Sequence, residues 1–77
     1  MRSIPYSSDM LTDRETEVLL YLARGEDNRR IAERLDISVR TVKYHTGNIY
    51  SKIGCKSRSE AIVWTWTNIL TQPSNEQ

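Results

Sequence analysis

The stretch from Asp27 to Gly54, DNRRIAERLDISVRTVKYHTGNIYSKIG, constrains the chain more than any other. It reads as two helices joined by a tight turn. Asp27 can cap a helix over residues 28–35, with Ile31, Ala32 and Leu35 on one face at helical spacing. Asp36, Ile37 and Ser38 interrupt that pattern. The Ser38 hydroxyl can accept from the free backbone N–H groups of the next turn, so it suits a second N-cap. The helix it starts covers residues 39–53, with Val42, His45/Thr46, Ile49 and Ile53 forming its apolar stripe. Gly54 supplies the left-handed residue that ends it.

A short helix, a three-residue turn and a longer helix with basic residues on one side make a helix-turn-helix candidate. In that arrangement the second helix enters the DNA major groove. The charge distribution agrees with it better than the net charge of +1 does. Residues 1–36 hold six Arg against eight acids, a net −2. Residues 37–59 hold Arg40, Lys43, Lys52, Lys56 and Arg58 with no acid, a net +5, and the rest contributes −2. The excess positive charge therefore lies in the second of the two helices and the loop after it, where phosphate contacts are needed.

The flanking segments complete a small all-α domain. Residues 1–10 lack periodicity and read as a flexible arm or the remnant of a linker. A first helix over residues 13–24 opens on the Thr12–Glu15 capping box, buries Val18, Leu19, Leu22 and Ala23, and stops at Gly25. Ser57 and Glu60 form a second capping box before a last helix over residues 58–70. On that helix Ala61, Ile62, Thr65 and Ile69 can face a core, while Val63, Trp66, Thr67 and Leu70 fall on another face, with Trp64 near its edge. So much uncovered apolar surface marks an interface, the plainer alternative being a small domain that leaves some aromatics half exposed. Residues 71–77 read as a disordered tail. The fold expected is thus a four-helix all-α domain over residues 11–70 with a helix-turn-helix at its centre.

Composition closes off other classes. With 77 residues there is room for one small domain, and a single Cys excludes an internal disulfide. There is no Cys/His cluster at zinc spacing, no apolar run of membrane-spanning length and no hydrophobic signal-peptide core. The sequence calls for no cofactor, metal or small-molecule ligand, and a cytoplasmic location follows. His45, the only histidine, lacks the partners of a catalytic site, so no enzyme is expected. It suits an edge of the core. Cys55 reads as a small semi-buried thiol; a redox role would need a lowered thiol pKa, to which Lys56 and Arg58 could contribute.

Taken together, LTDRETEVLLYLARG, NRRIAERL, ISVRTVKYHTGNIYSKIG and KSRSEAI resemble the LuxR/FixJ/GerE-type DNA-binding domain, whose pattern is LTxRExEVL, a Gly, NxxIAxxL and ISxxTVKxHxxNIxxKLG. The matching positions run from Leu11 to Leu70. The resemblance implies a bacterial transcription regulator, nucleoid-associated when bound, in which the second and third helices form the helix-turn-helix and the fourth mediates dimerisation. Double-stranded DNA, a second copy and RNA polymerase are the partners implied. Members usually carry a receiver or ligand-sensing domain, so the chain is similar either to a stand-alone GerE-like member or to an excised output domain. Two positions depart from the pattern. Arg30 replaces a frequent Glu and removes half of a capping box, and Gly47 sits inside the recognition helix at a position that faces DNA in the family.

Lys43 lies early on that helix, where base edges are met; it can donate to guanine or to a phosphate. Tyr44 and Gly47 map onto neighbouring groove-facing positions, Tyr44 with a thymine methyl or a phosphate as its target, or simply lying over its own helix. Arg40, Thr41, Asn48 and Lys52 are candidates for the DNA backbone, although Lys52 also suits the negative end of its helix. Asn28 and Arg29 stand beside exposed N–H groups that favour a phosphate. Arg58 reads as a phosphate ligand or, preferably, as an internal partner of a carboxylate such as Glu15. The rival to DNA binding is an interaction module that pairs with or sequesters another regulator through the last helix. Near-neutral charge and Gly47 favour that rival; Lys43, Lys52 and the acid-free stretch oppose it.

Overall fold

In the computed structural model, which describes residues 11–70, the chain forms four helices and, among these residues, no strand. They are α1 (Asp13–Ala23), α2 (Asn28–Leu35), α3 (Val39–Ile53) and α4 (Arg58–Thr65), the last continuing into a π-helical turn, Trp66–Leu70. The arm and tail expected at residues 1–10 and 71–77 lie outside the described residues.

Each helix starts where its cap requires. The side chains of Thr12, Asp27, Ser38 and Ser57 accept from the backbone N–H groups of Glu15, Arg30, Thr41 and Glu60. Such a bond satisfies an otherwise orphaned donor, and losing one costs about 1 kcal/mol. At α1 the reciprocal half is also made, the Thr12 N–H donating to Glu15 Oε1 at 3.0 Å. At α4 the expected second capping box is incomplete. Glu60 Oε1 accepts instead from the backbone N–H of Lys56 at 2.8 Å, one residue before the cap, and so tightens the α3–α4 loop.

The helix ends follow a shared design. Gly25 and Gly54 take the positive φ that a left-handed terminus requires, 89° and 73°. After α2 the same role falls to Asp36, at φ 56°, the one non-glycine with positive φ among the described residues. The N–H of Ile37 bonds to the Ala32 carbonyl and that of Asp36 to Glu33, while Ile37 packs against the core. This is a Schellman ending, and the apolar contact of the residue that follows holds Asp36 in place.

Helix α1 packs on α3 and α4, and α2 packs on α3. Val18, Leu19, Leu22, Ile31, Val42, Ile49 and Ala61 are fully buried between them. Truncating one of the larger of these to Ala costs about 2–5 kcal/mol. The two buried threonines satisfy their hydroxyls locally, Thr46 on the Lys43 carbonyl and Thr65 on that of Ala61. Ala61 and Thr65 of α4 face inward as the periodicity demands, with Ile62 and Ile69 half-buried. The helical register changes at Trp66, whose indole N–H donates to the Ala23 carbonyl at 3.1 Å. That bond holds the end of the last helix against the C-terminus of α1, where the ladder widens from α to π.

Candidate nucleic-acid interface

The inward face of α3 fixes what its outward face can present. With Val42, Thr46 and Ile49 buried, residues 40, 43, 44 and 47 must share the opposite side, since neighbours three and four apart stack on one face. Arg40, Lys43 and Gly47 are exposed, and Tyr44 is 67% exposed. The Tyr44 ring meets the half-buried His45 edge to face, with centroids 5.7 Å apart and an interplanar angle of 61°. His45 thus sits at the core edge, as expected for it. Gly47 has helical backbone, and a Cβ built there would meet no atom within 4 Å.

In the N-terminal half acids lie among the cations. Arg14 lies 3.4 Å from Glu17, Arg34 lies 2.5 Å from Glu26 while stacking on the Tyr21 ring, and Arg24 lies over the same ring, whereas the exposed Arg29 and Arg30 form no ion pair with a described residue. Arg40 and Lys43 form no ion pair with any described residue. Their charge is turned to solvent on a face without acids.

The other candidates are more occupied. The backbone N–H of Thr41 donates to the Ser38 cap, and the two hydroxyls lie 2.9 Å apart. Asn48 is half-buried on the flank of α3. Arg29 is exposed at the start of α2. Arg58 does bond internally, but not to Glu15. Its guanidinium donates to Asn28 Oδ1 at 3.2 Å and to the Glu26 carbonyl, joining the start of α4 to the start of α2.

Glu15 is instead the partner of Lys52. The Lys52 ammonium donates to Glu15 Oε1 at 2.7 Å, and the carboxylate is only 5% exposed. Burial works against its charged form; the Lys52 hydrogen bond and the Thr12 N–H outweigh that and hold the carboxyl below its ordinary range. One side chain therefore closes the N-terminus of α1 and anchors the far end of α3. The capping spacing identified half of this role. The half that spans the core left no local signal.

Cys55 does not carry the lowered pKa a redox switch needs. Burial raises its thiol pKa, and the nearby charge of Glu60 acts in the same direction.

The last helix presents a second surface of opposite kind. Val63 is 63% exposed, Trp66 47% and Leu70 38%, with Thr67 exposed among them. Trp66 and Leu70 also line an apolar groove against Leu20 and Tyr21 of α1, with Glu17 and Arg24 at its rim. Among the described residues no helix is long and apolar enough to cross a membrane.

Comparison with known proteins finds a family for the chain. Residues 9–65 match the family of bacterial regulatory proteins, luxR family, known as GerE. Over 64 residues the chain is 41% identical to the response regulator protein VraR of Staphylococcus aureus, and equally to the proteins of that name in Staphylococcus saprophyticus and Staphylococcus epidermidis. The match covers 83% of this chain and 31% of each relative, so the chain spans about a third of their length.

Proposed function

The chain belongs to the luxR family of bacterial regulatory proteins, a family of DNA-binding transcription regulators, and from that premise we propose that it reads double-stranded DNA by laying the outward face of α3 in the major groove, as one half of a homodimer paired through its last helix. One observation carries the reading: Arg40, Lys43, Tyr44 and Gly47 share an exposed face whose two cations have no ion partner among the described residues. On this reading Lys43 and Tyr44 meet base edges, with Gly47 allowing close approach. Arg40, Thr41, Asn48 and Arg29 contact the sugar-phosphate backbone. Lys52 and Arg58 add charge, and with Asn28 they fix helix positions through their internal bonds at the edge of that contact.

Pairing through Val63, Trp66, Thr67 and Leu70 would place two α3 helices on half-sites about one helical turn apart. A domain this small makes few contacts, and the second copy raises affinity through effective concentration. As a regulator it would act on RNA polymerase, by recruiting it or by blocking its access, in the bacterial cytoplasm. The relatives are named response regulators, and we extend to this chain only the output role of such a protein.

The test is selection of the purified chain on random duplexes at two salt concentrations. A two-fold-symmetric motif whose binding weakens steeply with salt is the expected result. Failure to bind any duplex at low salt would favour the interaction module, acting through the last helix.

A further inference from the structure

Resting on the major-groove reading above, we propose that Tyr44 and Gly47 form an apolar shelf for the 5-methyl group of a thymine, which makes Tyr44 the specificity-determining residue for a T·A pair in each half-site. On the outward face of α3 the neighbouring side chains, Arg40 and Lys43, are hydrogen-bond donors. Tyr44 is the large apolar surface among them, and it is 67% exposed. Its ring meets that of the half-buried His45 edge to face, an arrangement aromatic pairs favour.

Gly47 follows three residues later, on the same face and one turn along. It has no side chain, and a Cβ there would point into open space. No packing inside the domain therefore requires glycine, and no positive φ does either. Ring and bare backbone thus lie one turn apart on the same outward face, which also carries Lys43. In the major groove the thymine methyl is the one apolar group that projects from the base edges; the cytosine C5–H lies flush with its ring. An exposed aromatic ring beside a missing side chain is complementary to that projecting group.

The experiment uses the full chain and the duplex it recovers from a random pool, with each thymine replaced in turn by deoxyuridine, which removes only the methyl. We expect one position in each half-site at which uracil weakens binding about fourfold, the value for burying one methyl group. Tyr44→Phe should keep that discrimination, because the ring makes it. Tyr44→Ala should bind the thymine and uracil duplexes alike, and Gly47→Val, which fills the gap, should do the same. A Tyr44 hydroxyl that served only a phosphate would give the reverse, with Tyr44→Phe weakened and no uracil effect. The proposal is overturned if no thymine position responds, or if Tyr44→Ala still distinguishes the two bases. A chain that recovers no duplex takes down the groove reading and this proposal together; a uracil-insensitive operator takes down this proposal alone.

Discussion

On α3 the outward residues are Arg40, Lys43, Tyr44 and Gly47, and on the last helix they are Val63, Trp66, Thr67 and Leu70. Both faces lie opposite a buried stripe, Val42 and Ile49 in one helix and Ala61 and Thr65 in the other. What differs is how each helix is held. α3 is capped at Ser38, ended by Gly54 and pinned by the Lys52–Glu15 bond. The last helix loses its α register at Trp66 and is held there through the indole bond to Ala23. The helix proposed to read DNA is regular from cap to stop. The helix with the apolar face is capped at Ser57 and tied by Arg58 at its start, and changes register only at its end. Fixing a reading face before binding reduces what has to be ordered in the complex.

The largest expected effect comes from loosening α3. Lys52→Met removes the ammonium from Glu15 and leaves a buried carboxylate with only the Thr12 N–H. Breaking a fully buried pair costs about 3–5 kcal/mol, and because the Lys52 side chain is 35% exposed we expect nearer 2 kcal/mol in urea unfolding. The pH dependence has a defined sign. The folded Glu15 carboxyl titrates below its ordinary value, so its contribution is fully present above the unfolded pKa and is lost as pH falls through the folded one. Lys52→Met should move the acid transition to higher pH. An unchanged transition would mean that the pair does not hold α3 in place.

Next in size is the loss of charge from the reading face. Lys43→Ala should weaken operator binding about tenfold, about 1.4 kcal/mol, and reduce its salt dependence if the contact is to phosphate. Because the side chain is exposed and without an ion partner among the described residues, unfolding should change by less than about 0.5 kcal/mol. The two substitutions on one helix should therefore separate stability from binding. Full affinity in Lys43→Ala would remove it from the interface.

The other face responds in a different coordinate. Trp66→Glu deletes the bond to the Ala23 carbonyl, costing about 1 kcal/mol, and places a charge on the apolar strip. It should shift sedimentation toward the monomer and weaken operator binding while the far-UV spectrum stays helical. A sedimentation profile matching the parent would remove the last helix as the pairing surface.

How far these features could be read in advance depends on the range of the interaction behind them. The four caps and both glycine stops were legible because each is decided within one turn: a hydroxyl or carboxylate three residues before an N–H, or a glycine after the last apolar position. The outward stripe of α3 followed from its buried stripe. The ending at Asp36 is not legible, because its left-handed backbone is held by Ile37 reaching the core and nothing in an Asp announces that. The partner of Arg58 is hidden for a related reason, an amide and a carbonyl taking the place of a carboxylate such as Glu15. Lys52 lies 37 residues from Glu15, and Arg58 lies 30 from Asn28; which cation meets which acceptor is decided only when all four helices pack. The π turn after Thr65 begins at Trp66, whose indole bonds to the distant Ala23 carbonyl, a contact no local pattern announces.

The smallest effect bears on the comparison most directly, because Gly47→Ala should move stability and binding in opposite directions. An alanine inside an exposed helix is favoured over glycine by about 0.5–1 kcal/mol, and at Gly47 its methyl would meet no other atom of the domain. Unfolding should therefore shift to higher urea by that amount. If the outward face of α3 lies close against the duplex, the same methyl should weaken operator binding by a comparable amount, a few-fold in Kd. A gain in stability with unchanged binding would mean that this part of the face stands clear of the DNA. Loss of stability would mean that the helix is not regular at Gly47, and the alignment of Arg40, Lys43 and Tyr44 on one face would fall with it.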